Sequence, residues 1–101
     1  MTRFRLMFEP HLDVIINDPK LFEHYARNYL DEFPVEWGGS IAMSQMEKNE
    51  ERLEPVWQLL IPEGDENCKT KLLSYLDKNP MEGYWVHVYE ESGNGESAKI
   101  H

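Results

Sequence analysis

Ser40-Ile-Ala-Met-Ser-Gln-Met-Glu-Lys-Asn-Glu-Glu-Arg-Leu53 is the stretch on which the fold turns. Ile41 and Met43 alternate with Ala42, Ser44 and Met46, a weak period of two that reads as a strand over 40–46. A helix running from Ser40 to Leu53 competes with that reading. Taken as a strand, the stretch leaves Glu47 to Glu54 as a charged connection, and Pro55 argues against helix through it.

Toward the C-terminus, Val56-Trp-Gln-Leu-Leu-Ile61 lies between two prolines. Its length and its β-branched and aromatic content favour a buried strand. Pro62 to Asn67 is a turn with candidate helix caps. Cys68, Leu72, Leu73, Tyr75 and Leu76 then recur at helical spacing, which predicts a second helix to about Asp77, ended by Asn79-Pro80. Gly83-Tyr-Trp-Val-His-Val-Tyr-Glu90 is the clearest strand in the chain. Beyond the turn at Ser92-Gly-Asn-Gly95, the last residues either pair back as a short edge or fray.

Toward the N-terminus, Gly38-Gly39 after Val35-Glu-Trp37 signals a turn or bulge. Before it, Asp18-Pro19 is a strong helix start, since Asp18 can accept from orphan amides and Pro19 at the first position loses no hydrogen bond. Leu21, Phe22, Tyr25, Ala26, Tyr29, Leu30 and Phe33 form one apolar face behind it, and Pro34 stops the helix. His11 to Asn17 reads equally as a helical turn or as extended chain. Arg3 to Glu9 alternates, with Phe4, Leu6 and Phe8 on one side, as a half-buried strand does.

The resulting order is β-α-β-β-α-β. It predicts an α+β fold, a ferredoxin-like two-layer sandwich with an antiparallel sheet and both helices on one face. One domain spans residues 1–101, with about 92–101 as the frayed tail or edge. A chain of 101 residues with 41% hydrophobic and 12% aromatic side chains has the material for a core, unlike a disordered chain.

Cys68 is the single cysteine, so no intramolecular disulfide ties the fold to an oxidising compartment. Neither a signal-peptide core nor an apolar stretch of ~18–20 residues is present, and a cytoplasmic setting is expected. Nineteen acids against ten Lys and Arg give a net charge of −9. Such a surface repels phosphate backbones and anionic lipids, which disfavours direct nucleic-acid or membrane binding and suits a basic protein partner. Solubility alone also accounts for it.

No chemical motif stands out. His11, His24, His87 and His101 show no metal-ligand spacing, and no second cysteine supports Cys68, so neither metal nor cofactor is expected. Cys68 falls in the first turn of the second helix, but it starts the apolar stripe and has Glu63, Asp65 and Glu66 nearby; a buried structural cysteine fits best. The glycine pairs match neither a P-loop nor a dinucleotide fingerprint, and no Gly-x-Ser-x-Gly elbow is present.

Two functional expectations remain. In the first, the domain binds protein: Glu47, Glu50, Glu51, Glu54, Glu63, Asp65 and Glu66 would form two acidic patches at opposite ends of one strand. Spaced carboxylates of this kind can imitate a phosphate track. Trp37 beside the glycine pair would be an aromatic anchor, or else a core residue at the sheet margin. An inhibitor or immunity-type protein that blocks a nuclease or another nucleic-acid-handling target fits this pattern. The alternative is a small dimeric enzyme with a pocket lined by His87, Trp85, Tyr89 and Tyr84, an expectation that rests on fold analogy.

Overall fold

In the computed structural model, which describes residues 2–11, 18–47 and 50–101, with side chains for all of these except 42–55, the alternation at the N-terminus becomes strand β1 (Thr2–Pro10). Phe4, Leu6 and Phe8 are buried on one face, and Arg3, Arg5, Met7 and Glu9 turn to the other. The two readings of the segment that follows, His11 to Asn17, fall almost wholly outside the described residues.

Helix α1 (Pro19–Tyr29) starts where Asp18 and Pro19 predict, with the Asp18 carboxylate accepting from the Lys20 amide at 3.0 Å. It ends at Leu30, short of Pro34; Phe33 is then reached through a turn in which its N–H bonds to the Leu30 carbonyl. Its buried face is also narrower than the expected stripe. Phe22, Ala26 and Leu30 are fully buried, while Leu21 is 57% and Tyr25 47% exposed. An eleven-residue helix resting on a sheet contacts it through one i, i+4 row, and positions a quarter-turn away look outward.

The decisive stretch is extended. Strands β2 (Glu36–Glu47) and β3 (Glu50–Gly64) form a hairpin, and the competing helix is excluded. Gly38-Gly39 makes a bulge: pairing shifts between Trp37↔Leu59 and Gly39↔Gln58, with Gly39 at a φ of +102° that a side chain would strain. Both strands outrun their expected limits. Glu47 to Glu54, read as a connection, belongs largely to the ladder, with Met43 opposite Glu54 and Glu47 opposite Glu50. β3 passes straight through Pro55. There it has left β1, whose pairing with β3 ends at Phe8↔Trp57, so among the described residues only β2 flanks it. A residue without an N–H is tolerated where one side of the strand has no ladder.

Helix α2 (Glu66–Lys78) is capped by Asp65, whose carboxylate accepts from the Cys68 amide at 2.8 Å, and it buries Leu72 and Leu76. Strand β4 (Tyr84–Glu91) follows. The C-terminal residues add a fifth, three-residue strand, β5 (Ser97–Lys99), on the β4 edge. Beyond it, the Ile100 amide donates to the Val88 carbonyl at 2.9 Å, so the tail is paired and not frayed.

The sheet order is β2-β3-β1-β4-β5 with every neighbour antiparallel. The molecule is an α+β protein. Its core lies on one face of the sheet, where residues of both helices join Phe4, Leu6, Phe8, Leu59, Ile61 and Val88 in a single cluster. Phe22 is its aromatic centre, edge-on to Phe8 at 5.4 Å, stacked on Trp57 at 5.6 Å and 5.4 Å from Tyr84. Among the described residues no helix covers the opposite face, and none is long and apolar enough to cross a membrane.

Candidate functional site

Strand β3 separates the acidic residues into two groups. Glu47, Glu50, Glu51 and Glu54 lie at the turn end of the β2–β3 hairpin, where Glu47 stands opposite Glu50 and Glu51 opposite Met46 in the backbone register. Their side chains are outside the described residues. Residues 50–56 have no β1 partner among the described residues, so this end of the hairpin runs past β1 as a two-stranded arm.

Glu63, Asp65 and Glu66 lie at the other end of β3, around the start of α2. Two of the three have local structural roles. Asp65 caps the helix, and Glu66 occupies its first turn, where the helix dipole favours an acid. Glu63 is exposed and lines a shallow groove of about 440 Å³ with Thr2, Pro34, Gly64, Asp65 and Cys68. Burial, and then the Asp65 carboxylate, push the Cys68 thiol above its ordinary pKa. It is therefore a poor thiolate and a poor nucleophile.

Trp37 takes the inner position of its two readings. Its ring lies 6.0 Å from Trp57 and 6.3 Å from Phe22, half-buried at the margin of the core. It is on the helix side of the sheet, and its backbone is at the β2 bulge.

The face without helices gathers a different set. On β4, Trp85, His87 and Tyr89 turn outward together, as alternation requires. Tyr84 does not join them: as an even-numbered residue of the same strand it points inward, packs on Phe22 and is buried, which corrects its place in the expected pocket. His87 Nε2 lies 2.9 Å from Glu9 Oε2, and the Trp85 ring sits 4.2 Å from that of His11. Arg3 and Arg5 converge on Glu91, with contacts of 2.8 and 2.7 Å to its two oxygens. Among the described residues no three His, Cys, Asp or Glu side chains come together as a metal would need.

Glu9 and the Arg3–Arg5–Glu91 cluster were not singled out from the sequence. A signal existed, because alternation already turns Glu9, Arg3 and Arg5 away from Phe4, Leu6 and Phe8. What brings them to His87 and Glu91 is the β1–β4 pairing, with Met7 opposite His87 and Arg3 opposite Glu91. The paired histidine and carboxylate could hold or pass a proton, yet no nucleophile or oxyanion donor stands beside them among the described residues. No protein-family model, curated protein or solved structure matches this chain.

Proposed function

We propose that the chain is a protein-binding domain whose acidic surface engages a basic partner, and that it acts as an inhibitor or immunity-type protein against a nuclease or another nucleic-acid-handling target. The observation that carries this reading is the β2–β3 arm. It extends past β1 and bears Glu47, Glu50, Glu51 and Glu54, from a stretch of sequence in which Lys48 and Arg52 are the only bases, on a chain of net charge −9. Acids carried on a two-stranded arm can follow a basic groove built for a polyanion, and their charge would speed encounter with it. Glu63, Asp65 and Glu66, at the far end of β3, form a second contact region. Trp37, half-buried at the margin of the core beside the β2 bulge, contributes an aromatic contact.

The reading takes the domain as a ferredoxin-like βαββαβ sandwich. The order β4-β1-β3-β2 with antiparallel neighbours supports this, and β5 is then an addition at the β4 edge. Its setting is cytoplasmic, on the strength of a single half-buried cysteine. The second reading, a small dimeric enzyme, is favoured by the His87–Glu9 contact, with Trp85 and Tyr89 beside it.

Parallel capture from one lysate with wild-type bait and with E47K/E50K/E51K/E54K bait separates these readings. The wild type should enrich basic nucleic-acid-binding proteins that elute as salt rises, and the reversed bait should lose them. Equal capture by both baits at every salt concentration would overturn the acidic-arm proposal. The enzyme reading requires instead a turnover that His87→Ala abolishes and the four reversals spare.

A further inference from the structure

The helix-free face of the sheet differs in charge from the rest of the molecule. Strand alternation and register place Arg3, Arg5 and Lys99 on it together with Glu9, Glu36 and Glu91. With His87 neutral these positions sum to zero, on a chain that carries −9, and the same register continues onto the arm with Glu47, Glu50 and Glu54 against Arg52. The face also carries aromatic and apolar side chains. Trp85 is 48% exposed, and Met7, Leu60 and Tyr89 are partly exposed; only Val56, toward the hairpin arm, is buried. Most of the net negative charge therefore lies on the helices, the loops and the arm.

We propose that this face is a self-association surface on which a second copy of the chain packs sheet to sheet. The charge map selects that occupant. Two copies repel wherever their acidic surfaces approach, and this neutral face lets them meet without such a penalty. A strongly basic partner would instead be drawn to the acidic arm. Trp, Tyr, Met and Arg, all present on this face, are residue types enriched in interfaces. Four strands ~4.8 Å apart, each offering about eight residues at ~3.3 Å, together with the three-residue β5, present roughly 550 Å² per copy, so a pair would bury about 1,100 Å², the size of a weak, transient interface. The expected dimer is reversible, with a dissociation constant on the order of micromolar.

Sedimentation velocity on the full chain tests this across a concentration series. The wild type should move from the mass of one chain toward that of two. The association should tighten as NaCl rises from about 20 to about 200 mM, because salt screens the repulsion between the two net charges. That sign is opposite to the one expected for binding a basic partner. Trp85→Glu and Tyr89→Glu, at an exposed and a partly exposed position, should each give monomers with unchanged far-UV circular dichroism, while E51K, at an arm position whose register belongs to the other side of the sheet, should leave the dimer intact. Acrylamide quenching provides a second measure, since Trp85 is the exposed tryptophan: quenching should fall as the wild type associates, and Trp85→Phe should remove that fall. A chain that stays monomeric throughout, or a dimer that survives both face variants, overturns the proposal without touching the acidic-arm reading.

Discussion

Gly64 shows how closely one residue can be fitted. A Cβ built there would collide with Phe4 Cε2 and stand 2.7 Å from its Cδ2. Phe4 is 1% exposed and held within the core cluster, so its ring has no free space to move into. Gly64→Ala should therefore destabilise the protein by about 1–3 kcal/mol through overpacking, read as a lower urea midpoint. Phe4→Leu in the same chain should return part of the loss, because the smaller side chain leaves room for the added methyl. A G64A variant as stable as the wild type would show that β3 can shift at its end without cost. In sequence, Gly64 reads only as part of a turn after Pro62; its constraint comes from a ring sixty residues earlier.

At the scale of elements, the ends of the two helices are tied by a pair of phenols. The Tyr75 hydroxyl donates to the Tyr29 carbonyl, and the Tyr29 hydroxyl donates to the Asn79 carbonyl, while the two rings meet edge-on at 5.3 Å. Burial, followed by the neighbouring Tyr75 and Tyr25, pushes the Tyr29 pKa from 10.0 to about 12. Only the neutral phenol can donate to Asn79. The folded state thus favours the protonated form, and the stability this gives is fully present below pH 10 and is lost as pH rises toward 12. The melting temperature should fall over that window. Tyr29→Phe should be less stable at neutral pH by about 0.5–1.5 kcal/mol for the lost hydrogen bond and should show a shallower alkaline decline. Parallel alkaline profiles in both proteins would rule out Tyr29 as the group responsible. Burial raises Tyr84 and Tyr75 in the same direction, so the decline should not vanish altogether.

For the whole molecule, the net charge of −9 opposes compaction. Several acids are already paired: Glu91 with Arg3 and Arg5, Glu90 with Lys69 at 2.7 Å, and Glu23 with Arg27 at 3.0 Å. Exposed pairs of this sort contribute little, and the uncompensated excess remains. Raising NaCl from about 10 to about 200 mM should lift the melting temperature by ~2–5 °C as repulsion is screened. This must be measured at a concentration where the chain is monomeric, since association would add its own stabilisation. A melting temperature indifferent to salt would mean that local pairing already offsets the excess.

Local chemistry determined the kind and order of the elements. Asp18-Pro19 starts α1, the alternations at Phe4–Phe8 and Tyr84–Glu90 mark strands, and the recurrence of Leu72 and Leu76 marks the second helix, because caps and periodicities act within a few residues of one another. The absence of chemical motifs and the sign of the charge could also be read directly. The tertiary structure alone decided where α1 stops, which of its apolar residues are buried, and that β2 and β3 run on as an arm through Pro55. Each depends on what lies across the gap, and no local pattern encodes the distance at which β1 leaves β3. The candidate sites divide in the same way. The acidic residues are evident by count, and their separation to opposite ends of β3 followed once Ser40–Met46 was taken as a strand. The contacts of His87 with Glu9 and of Glu91 with two arginines, and the neutrality of the open face, arise only when β1 and β4 pair, since register is a relation between strands some eighty residues apart.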